Sequence, residues 1–226
     1  MRLRLKKHLN EREDNVKEYL IECGNLEANH IEAAKNKQYL DVFELFGNDN
    51  PIVLEIGCGM GAFAVGYCKQ NKGVNLVGVE MIRNVLVVAM KKAKQNGLKN
   101  AKFMNMTAEY LPKFFKKGQI ERVFLNFSTP YPKEKQRNRR LTHSRFLKEY
   151  EYLLKDNGEV WQKTDDLDFF EYSLEQFKVQ GWDVYEITYD LHGDNVYDNV
   201  ITEYESKFVA QNKNICRLKA RKPKDN

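Results

Sequence analysis

Three glycines at alternate positions follow an apolar run that contains a single carboxylate. The run spans residues 52–56 and includes Glu55, and the glycines are Gly57, Gly59 and Gly61. An apolar strand that passes through a glycine turn into a helix is the usual layout of a nucleotide-cofactor site at the carboxyl end of a parallel strand. Glycine is needed there because the chain turns sharply and a ligand must approach the bare backbone.

The carboxylate indicates which cofactor such a site would bind. The glycines also fit the dinucleotide fingerprint G-x-G-x-x-A, in which Ala62 would be the last position. That fingerprint does not require Gly61, and Glu55 would repel a pyrophosphate group. S-adenosylmethionine carries an ammonium and a sulfonium but no phosphate, so the pattern favours S-adenosylmethionine.

A second carboxylate, Glu80, closes the next apolar run at residues 76–79. At this position of a nucleotide-binding fold, a carboxylate accepts hydrogen bonds from ribose hydroxyls. The alternative for both stretches is an ordinary strand-to-helix turn that binds no ligand, because motif matches alone can mislead.

The composition is that of one globular α/β domain with a small addition. The chain has 226 residues, of which 42% are hydrophobic and 31% charged. Its net charge of +5 is too small to indicate by itself that the protein binds a nucleic acid. Evidence for such a partner has to come from the distribution of the basic residues along the chain. The four cysteines show no metal-binding or C-x-x-C spacing, and we expect reduced thiols in a cytoplasmic protein. We expect neither a signal peptide nor a membrane span.

Strand and helix patterns alternate after the glycine turn. This alternation predicts a parallel sheet with helices on both faces, and ligands bind such sheets at the carboxyl ends of the strands. The closing segments, residues 182–189, 204–211 and 215–219, are predicted to be strands, and they could form an antiparallel hairpin at the sheet edge. The crevice is then expected to collect residues 55–61, Glu80, Thr107, residues 126–131 and residues 163–166.

Three parts of the chain are expected. Residues 1–40 are predicted to form a basic amino-terminal arm with a helix at residues 10–22 and a loosely helical lead-in at residues 31–39. Residues 41–220 would form the catalytic domain, and residues 221–226 a carboxyl-terminal tail.

A rigid turn and a dense basic block follow the strand predicted at residues 122–127. Pro130 and Pro132 fix an extended backbone within the turn. The block contains Lys133, Lys135, Arg137, Arg139 and Arg140, with Glu134 as its only acid. A basic block beside an aromatic residue and a cofactor crevice suits a polyanionic substrate, although most charge runs are only solvated loops.

Between about residue 46 and residue 217, several short motifs, each present once, follow one another in a characteristic order and spacing. They include Leu54-Glu-Ile-Gly-Cys-Gly-Met-Gly61, Gly78-Val-Glu80, Leu125-Asn-Phe-Ser128, Arg139-Arg-Leu-Thr142, Lys163-Thr-Asp165 and Thr202-Glu-Tyr-Glu205. Together they resemble the bacterial tRNA (guanine-N7-)-methyltransferase family. The resemblance implies a Rossmann-like class I methyltransferase with a mostly parallel seven-stranded sheet and helices on both faces. It also implies methyl transfer from S-adenosylmethionine to N7 of a guanosine in the variable loop of tRNA.

The resemblance implies cofactor contacts for Glu55, Glu80 and Thr107, and substrate contacts for Lys133, Asp165, Thr202, Glu203 and Glu205. The glycine turn and the crevice add Gly57, Gly59, Gly61, Asn126 and Thr129 as cofactor-binding candidates, and the basic block adds Arg139 and Arg140 as substrate-binding candidates. Thr129 and Tyr131 are the candidate catalytic residues, with Tyr131 stacking on the base. The expected partner is tRNA, no metal or membrane is expected, and a monomer and a homodimer both remain open.

Two departures from the family pattern keep other functions open. The family usually has aspartate where this chain has Thr107 and Thr129, and threonine cannot neutralise a cation. One alternative is methylation of an exocyclic base amine, because Ser128-Thr-Pro-Tyr131 lies near the turn sequence of amino-methyltransferases. The other is a tRNA-binding paralogue without catalytic activity.

Guanine N7 is a nucleophile with a free lone pair, so its methylation requires no catalytic base. Because N7 must face the methyl group, carboxylates that accept from guanine N1–H and N2–H₂ would recognise the base. Asp165, Glu203 and Glu205 are the available acceptors, and their alternative roles are lysine partners or helix caps. His143 and His192 are expected at the surface or in packing, and Tyr172 and Phe177 in the core.

Overall fold

The computed structural model describes residues 9–24, 26, 35–194 and 196–224. The first eight residues of the predicted basic amino-terminal arm lie outside the described residues, as do residues 31–34 of the predicted lead-in helix. The described part of that lead-in, residues 35–39, is not helical.

Eight strands in the described part of the chain form one sheet. They are β1 (Leu20–Ile21), β2 (Ile52–Ile56), β3 (Asn75–Val79), β4 (Ala101–Met104), β5 (Ile120–Asn126), β6 (Leu154–Thr164), β7 (Asp183–Thr188) and β8 (Cys216–Arg221). Their order across the sheet is β1-β4-β3-β2-β5-β6-β8-β7. The strands from β1 to β6 pair in parallel, whereas β8 pairs antiparallel with both β6 and β7. The predicted parallel sheet with an antiparallel edge is therefore confirmed.

Helices cover both faces of the sheet. They are α1 (Leu9–Asp14), α2 (Val42–Phe46), α3 (Ala62–Gln70), α4 (Arg83–Gln95), α5 (Leu111–Phe114), α6 (Ser144–Leu153), α7 (Leu167–Val179) and α8 (Glu203–Val209), with 3-10 turns at Lys17–Tyr19, Ala108–Tyr110 and Glu134–Arg139. Two buried apolar cores result, one on each side of the sheet. Phe177 and Tyr172 of α7 are buried, as predicted. None of these helices is both long enough and apolar enough to cross a membrane.

The expected count of seven strands was wrong by one, because Leu20 and Ile21 also join the sheet. They pair in parallel with Phe103 and Met104 of β4. The helix predicted at residues 10–22 ends at Asp14. A two-residue strand is too short to show the alternation that identifies strands in a sequence, so a charged segment looked helical throughout.

The strand predicted at residues 204–211 was also wrong, because this segment forms the helix α8. Thr202 and Glu205 form a capping box at its start: the Thr202 hydroxyl accepts from the Glu205 N–H at 2.9 Å, and the Glu205 carboxylate accepts from the Thr202 N–H at 3.3 Å. The Thr-x-x-Glu spacing is a helix-start signal that outweighed the aromatic content of the segment.

The order of the strands decides where a ligand can bind. After β2 the chain proceeds to β3 and β4 on one side, and it later returns to place β5 on the other side. The loops that leave β2 and β5 therefore diverge and open a crevice between them.

Gly61 brings α3 and α4 close together. It has φ +77°, and a Cβ atom at this position would lie 2.6 Å from Cβ of Ala89 in α4. Gly59 has φ +54°, but no other atom lies within 4 Å of the place of its Cβ. Gly61 is therefore required for backbone conformation and for packing, and Gly59 for backbone conformation alone.

We expect Gly61→Ala to lower the free energy of unfolding by roughly 2–5 kcal/mol, because left-handed backbone strain and overpacking add. Gly59→Ala is the matched control, with an expected loss of about 1–2 kcal/mol from strain alone. Urea unfolding of both variants measures the difference. Equal losses would contradict the packing role of Gly61.

Candidate active site

A cavity of about 510 Å³ opens at the carboxyl ends of β4, β3, β2 and β5. All of the predicted cofactor-binding residues line it, namely Glu55, Gly57, Gly59, Gly61, Glu80, Thr107, Asn126 and Thr129. Tyr131, Arg139, Thr202 and Tyr204 belong to the same wall. The glycine loop and the β5 turn, which are some 70 residues apart in sequence, thus face a single cavity.

Glu55 is a buried carboxylate with one oxygen left over. Its Oε1 accepts from Nδ2 of Asn126 at 3.2 Å, and its Oε2 has no hydrogen-bond partner among the described residues. Burial raises the pKa of Glu55 to about 8, although the bond from Asn126 and the charge of Lys163 oppose this shift. A buried, unpaired carboxylate oxygen is unfavourable unless a donor or a cation meets it.

Glu80 ties the glycine loop to the end of β3. Its Oε2 accepts from the Gly59 N–H at 3.2 Å, and its Oε1 accepts from the Ile82 N–H at 2.8 Å. Burial raises its pKa, and these backbone bonds oppose the rise. Each carboxylate oxygen retains a second lone pair, so Glu80 can still accept from a ligand hydroxyl.

The glycine loop presents bare backbone to the cavity. Gly57 has φ +77° and Gly59 has φ +54°, and the space that a Cβ atom would occupy is empty at both positions. The buried Oγ of Ser128 in the opposite wall also has no hydrogen-bond partner in the described part of the chain. Open backbone, an unpaired carboxylate oxygen and an unpaired hydroxyl fit a cationic nucleoside such as S-adenosylmethionine.

The turn after β5 is held in a strained conformation. Phe127 has φ +51° and Tyr131 has φ +43°, which cost on the order of 1–3 kcal/mol each for residues other than glycine. Arg140 fastens this turn by donating from Nε to Pro130 O at 2.8 Å and from Nη2 to Tyr131 O at 3.2 Å. The Arg139 guanidinium lies 4.6 Å from the centre of the Tyr131 ring. These contacts hold Thr129 and Tyr131 at the cavity wall.

The start of α8 forms the wall next to this turn. The ring of Phe127 stacks on the ring of Tyr204, with 6.3 Å between the ring centres, and packs against the ring of Phe208, with 5.7 Å between the centres. Beneath them, the Lys163 ammonium of β6 donates to Oε2 of Glu205 at 2.7 Å, and both side chains are buried. This buried ion pair anchors α8 to the sheet and so positions Thr202 and Tyr204.

Residues 49–218 match a family described as "Putative methyltransferase". The chain is 44% identical to the tRNA (guanine-N(7)-)-methyltransferase of Bacillus velezensis over 173 residues, which are 76% of this chain and 80% of the relative. It is 39% identical to the enzyme of the same name from Streptococcus thermophilus over 220 residues, 97% of this chain and 98% of the relative.

This chain belongs to the tRNA (guanine-N7-)-methyltransferase family. Solved structures support the fold that this family implies. The 16S rRNA methyltransferase KamB superimposes with a TM-score of 0.63 at 13% identity, covering 83% of this chain and 96% of KamB. An antibiotic-related methyltransferase gives 0.60 at 14% identity, covering 88% and 96%. The predicted Rossmann-like class I methyltransferase fold is confirmed.

Several residues expected to bind the substrate of this family lie away from the cavity wall. Arg140 is buried and binds the turn backbone, and Glu205 is buried in its pair with Lys163. Lys133 is exposed beside the turn. Asp165 follows β6 and pairs with Lys213 at 3.4 Å.

Asp165 does not cap the helix that follows it. Its neighbour Asp166 is the cap, because Oδ1 of Asp166 accepts a hydrogen bond from the Phe169 N–H at 2.8 Å. Glu203 begins α8, and its side chain lies outside the described part of the chain. His143 and His192, which were expected at the surface or in packing, contact protein groups outside the cavity wall. His143 caps α6, and Nε2 of His192 lies 3.0 Å from Oε1 of Glu205.

Ser128 lines the cavity, as expected for residues 126–131, whereas Glu109 and Arg145 line it without having been predicted. Glu109 and Arg145 come from separate elements and form an ion pair at 2.9 Å, which no local pattern indicates.

We expect cofactor binding to release a proton from Glu55. At pH 7 this group, with a pKa of about 8, is mostly protonated, and a cation beside it favours ionisation. The affinity for S-adenosylmethionine should therefore rise between pH 6 and pH 7.5, by up to about tenfold per pH unit. Calorimetry in buffers of different ionisation enthalpy measures the released proton. Glu55→Gln should bind more weakly and release none, and equal release from both proteins would refute the assignment.

Proposed function

We propose that this protein transfers a methyl group from S-adenosylmethionine to N7 of a guanosine in the variable loop of tRNA. One observation carries the proposal: a single cavity joins the glycine loop and the buried Glu55 carboxylate, whose Oε2 is unpaired, to the strained turn that holds Thr129 and Tyr131. Membership of the tRNA (guanine-N7-)-methyltransferase family supports the same substrate and the same atom. Because tRNA is the proposed substrate, we propose the cytoplasm as the compartment.

S-adenosylmethionine, when bound, supplies an electrophilic methyl group on its sulfonium. Guanine N7 has a free lone pair, so no residue has to remove a proton before attack. The side chains therefore act by alignment, which can contribute several kcal/mol. We assign the cationic end of the cofactor to Glu55, the ribose to Glu80, and the base of the substrate to Thr129 and Tyr131.

The loss of aspartate at position 129 changes the electrostatics of this wall. Thr129 offers a hydroxyl, which can donate and accept but carries no charge. Methylation of N7 makes the guanine ring cationic, and carboxylates near it stabilise that charge. Glu205 is fully occupied by its partners, so we propose Asp165 as the acceptor for guanine N1–H and N2–H₂. Nζ of Lys213 lies 3.4 Å from Oδ2 of Asp165, which is long for an ion pair, and the Lys213 side chain is half exposed to solvent.

The surface around the cavity mouth suits an RNA backbone. Lys133, Lys135, Arg137 and Arg139 are exposed on one side of the mouth. Across the mouth, Tyr204 is half exposed at the start of α8, with the Lys207 ammonium 5.4 Å from its ring centre. Basic side chains that contact phosphates, together with an aromatic ring that stacks on a base, are typical of RNA recognition.

We expect 7-methylguanosine when the protein is incubated with labelled S-adenosylmethionine and unmodified tRNA. Nuclease digestion followed by nucleoside analysis identifies the product, and sequencing after borohydride and aniline cleavage maps it to a loop. A tRNA with adenosine in place of the variable-loop guanosine is the matched control. A methylated exocyclic amine would replace this proposal with the amino-methyltransferase alternative, and tRNA binding without transfer would favour the non-catalytic one.

We expect Lys133→Ala and Arg139→Ala each to weaken tRNA binding and to reduce the slope of log K against log salt by about one unit or less. The loss of a phosphate contact releases fewer counterions, which explains both effects. Lys116→Ala is a control, because Lys116 is exposed just before β5 at the opposite end of the sheet. Slopes unchanged in both test variants would remove the basic block from the tRNA site.

A further inference from the structure

The basic block beside the cavity mouth takes a backbone form that needs outside support. Most of it, Glu134–Arg139, is a 3-10 turn of six residues. Runs of this helix beyond about three to four residues are uncommon, because their hydrogen bonds have poor geometry. The positive charges of the block also repel one another. Contacts from other elements must therefore hold it in place.

The ring of Tyr172 in α7 lies under two guanidinium groups of the block. Cζ of Arg140 lies 4.3 Å from the ring centre, and Cζ of Arg137 lies 5.3 Å from it. Tyr172 is only 8% exposed, so the ring side of both contacts is shielded from water. The quadrupole of an aromatic ring attracts a cation over its face, and more strongly where water is excluded. Tyr172 therefore offsets part of the repulsion between these two arginines.

The two arginines over this ring serve different parts of the site. Arg140 is buried, and it holds the carbonyl oxygens of Pro130 and Tyr131. Arg137 is exposed, and its Nη1 donates to Oε1 of Glu134 at 2.9 Å. One ring thus supports a side chain that fixes the turn after β5 and a side chain that can reach a phosphate group.

A buried hydroxyl fastens the chain just after the block to the same helix. The Ser173 hydroxyl donates to Phe169 O at 2.7 Å and accepts from Nε2 of Gln162 at 2.9 Å. Because it has a single proton, the buried Thr142 hydroxyl must be the donor in the 2.8 Å contact between the two hydroxyls. The neighbours Tyr172 and Ser173 of α7 thus hold the side chains of the block and the chain that leaves it.

We propose that Tyr172 is a positioning residue for the RNA substrate, because its ring keeps the basic block ordered at the cavity mouth beside the turn that holds Thr129 and Tyr131. This arrangement fits a polyanionic strand whose phosphates lie along the block while one base enters the cavity. A block that is ordered before binding loses less conformational entropy on binding than a mobile loop. This inference rests on the proposed tRNA substrate.

Substitutions at position 172 test the proposal through tRNA binding. Tyr172→Leu removes the ring and keeps an apolar side chain, and we expect it to bind tRNA roughly five- to twentyfold more weakly, since two cation–π contacts are lost. Tyr172→Phe keeps the ring and should bind within about twofold of the native protein. Calorimetric binding of S-adenosylhomocysteine to the same samples counts the folded molecules, so that a loss of folded protein is not mistaken for a loss of tRNA affinity.

A control variant and a double variant separate positioning from general stability. Phe177 lies on the same helix and packs against Trp182, with 5.4 Å between the ring centres. Phe177→Leu should lower stability but leave the tRNA affinity of the folded protein unchanged. If Tyr172 acts through the guanidinium groups, Tyr172→Leu should weaken tRNA binding by a smaller factor in the Arg137→Ala protein than in the native protein.

Equal tRNA affinity of Tyr172→Leu and the native protein would overturn the proposal, and so would fully additive losses in the double variant. If Tyr172→Leu does not fold, Tyr172→trifluorophenylalanine decides, because fluorine weakens the ring quadrupole with little change in volume. Weaker tRNA binding than in Tyr172→Phe then supports the proposal, and equal binding contradicts it. A native protein that binds S-adenosylhomocysteine but not tRNA would instead refute the proposed function, and this inference with it.

Discussion

The buried carboxylate of Glu55 is the constraint on which the site depends. It sits at the end of the central strand β2, with one oxygen bonded to Asn126 and the other unpaired, and its burial raises its pKa to about 8. The ionised form of such a buried group is unfavourable until a cationic ligand meets it. The bare backbone of the glycine loop and the bonds from Glu80 to that loop keep the space in front of Glu55 open.

The cavity wall opposite the glycine loop, formed by the turn after β5 and the start of α8, depends on a rigid backbone more than on charged side chains. The turn after β5 contains two residues in left-handed backbone conformations, and Arg140 holds the carbonyls of this turn while being buried itself. The start of α8 is fixed by the buried pair of Lys163 and Glu205. Removal of one partner of a buried pair leaves an uncompensated charge, so these residues stabilise the wall that the exposed residues present to a substrate.

The glycine-loop side of the cavity could be predicted from the sequence because its signals are local. A strand, a glycine turn and a helix are contiguous, and the second predicted carboxylate, Glu80, directly follows β3. The parallel sheet follows from the same alternation. The errors lay where local patterns compete or are too short to recognise, as at the two-residue strand β1 and at the Thr-x-x-Glu start of α8.

The sequence by itself determined the chemical types that meet in the crevice: an acid at the end of β2, another after β3, and basic residues after β5. Only the tertiary structure decided which of these groups are available to a ligand. Arg140 and Glu205 look like substrate contacts in the sequence, but burial and ion pairing commit them to the protein. Glu109 and Arg145 lack any local signal and yet meet at the cavity wall. The reason is physical, because burial and pairing arise from packing between elements that are distant along the chain.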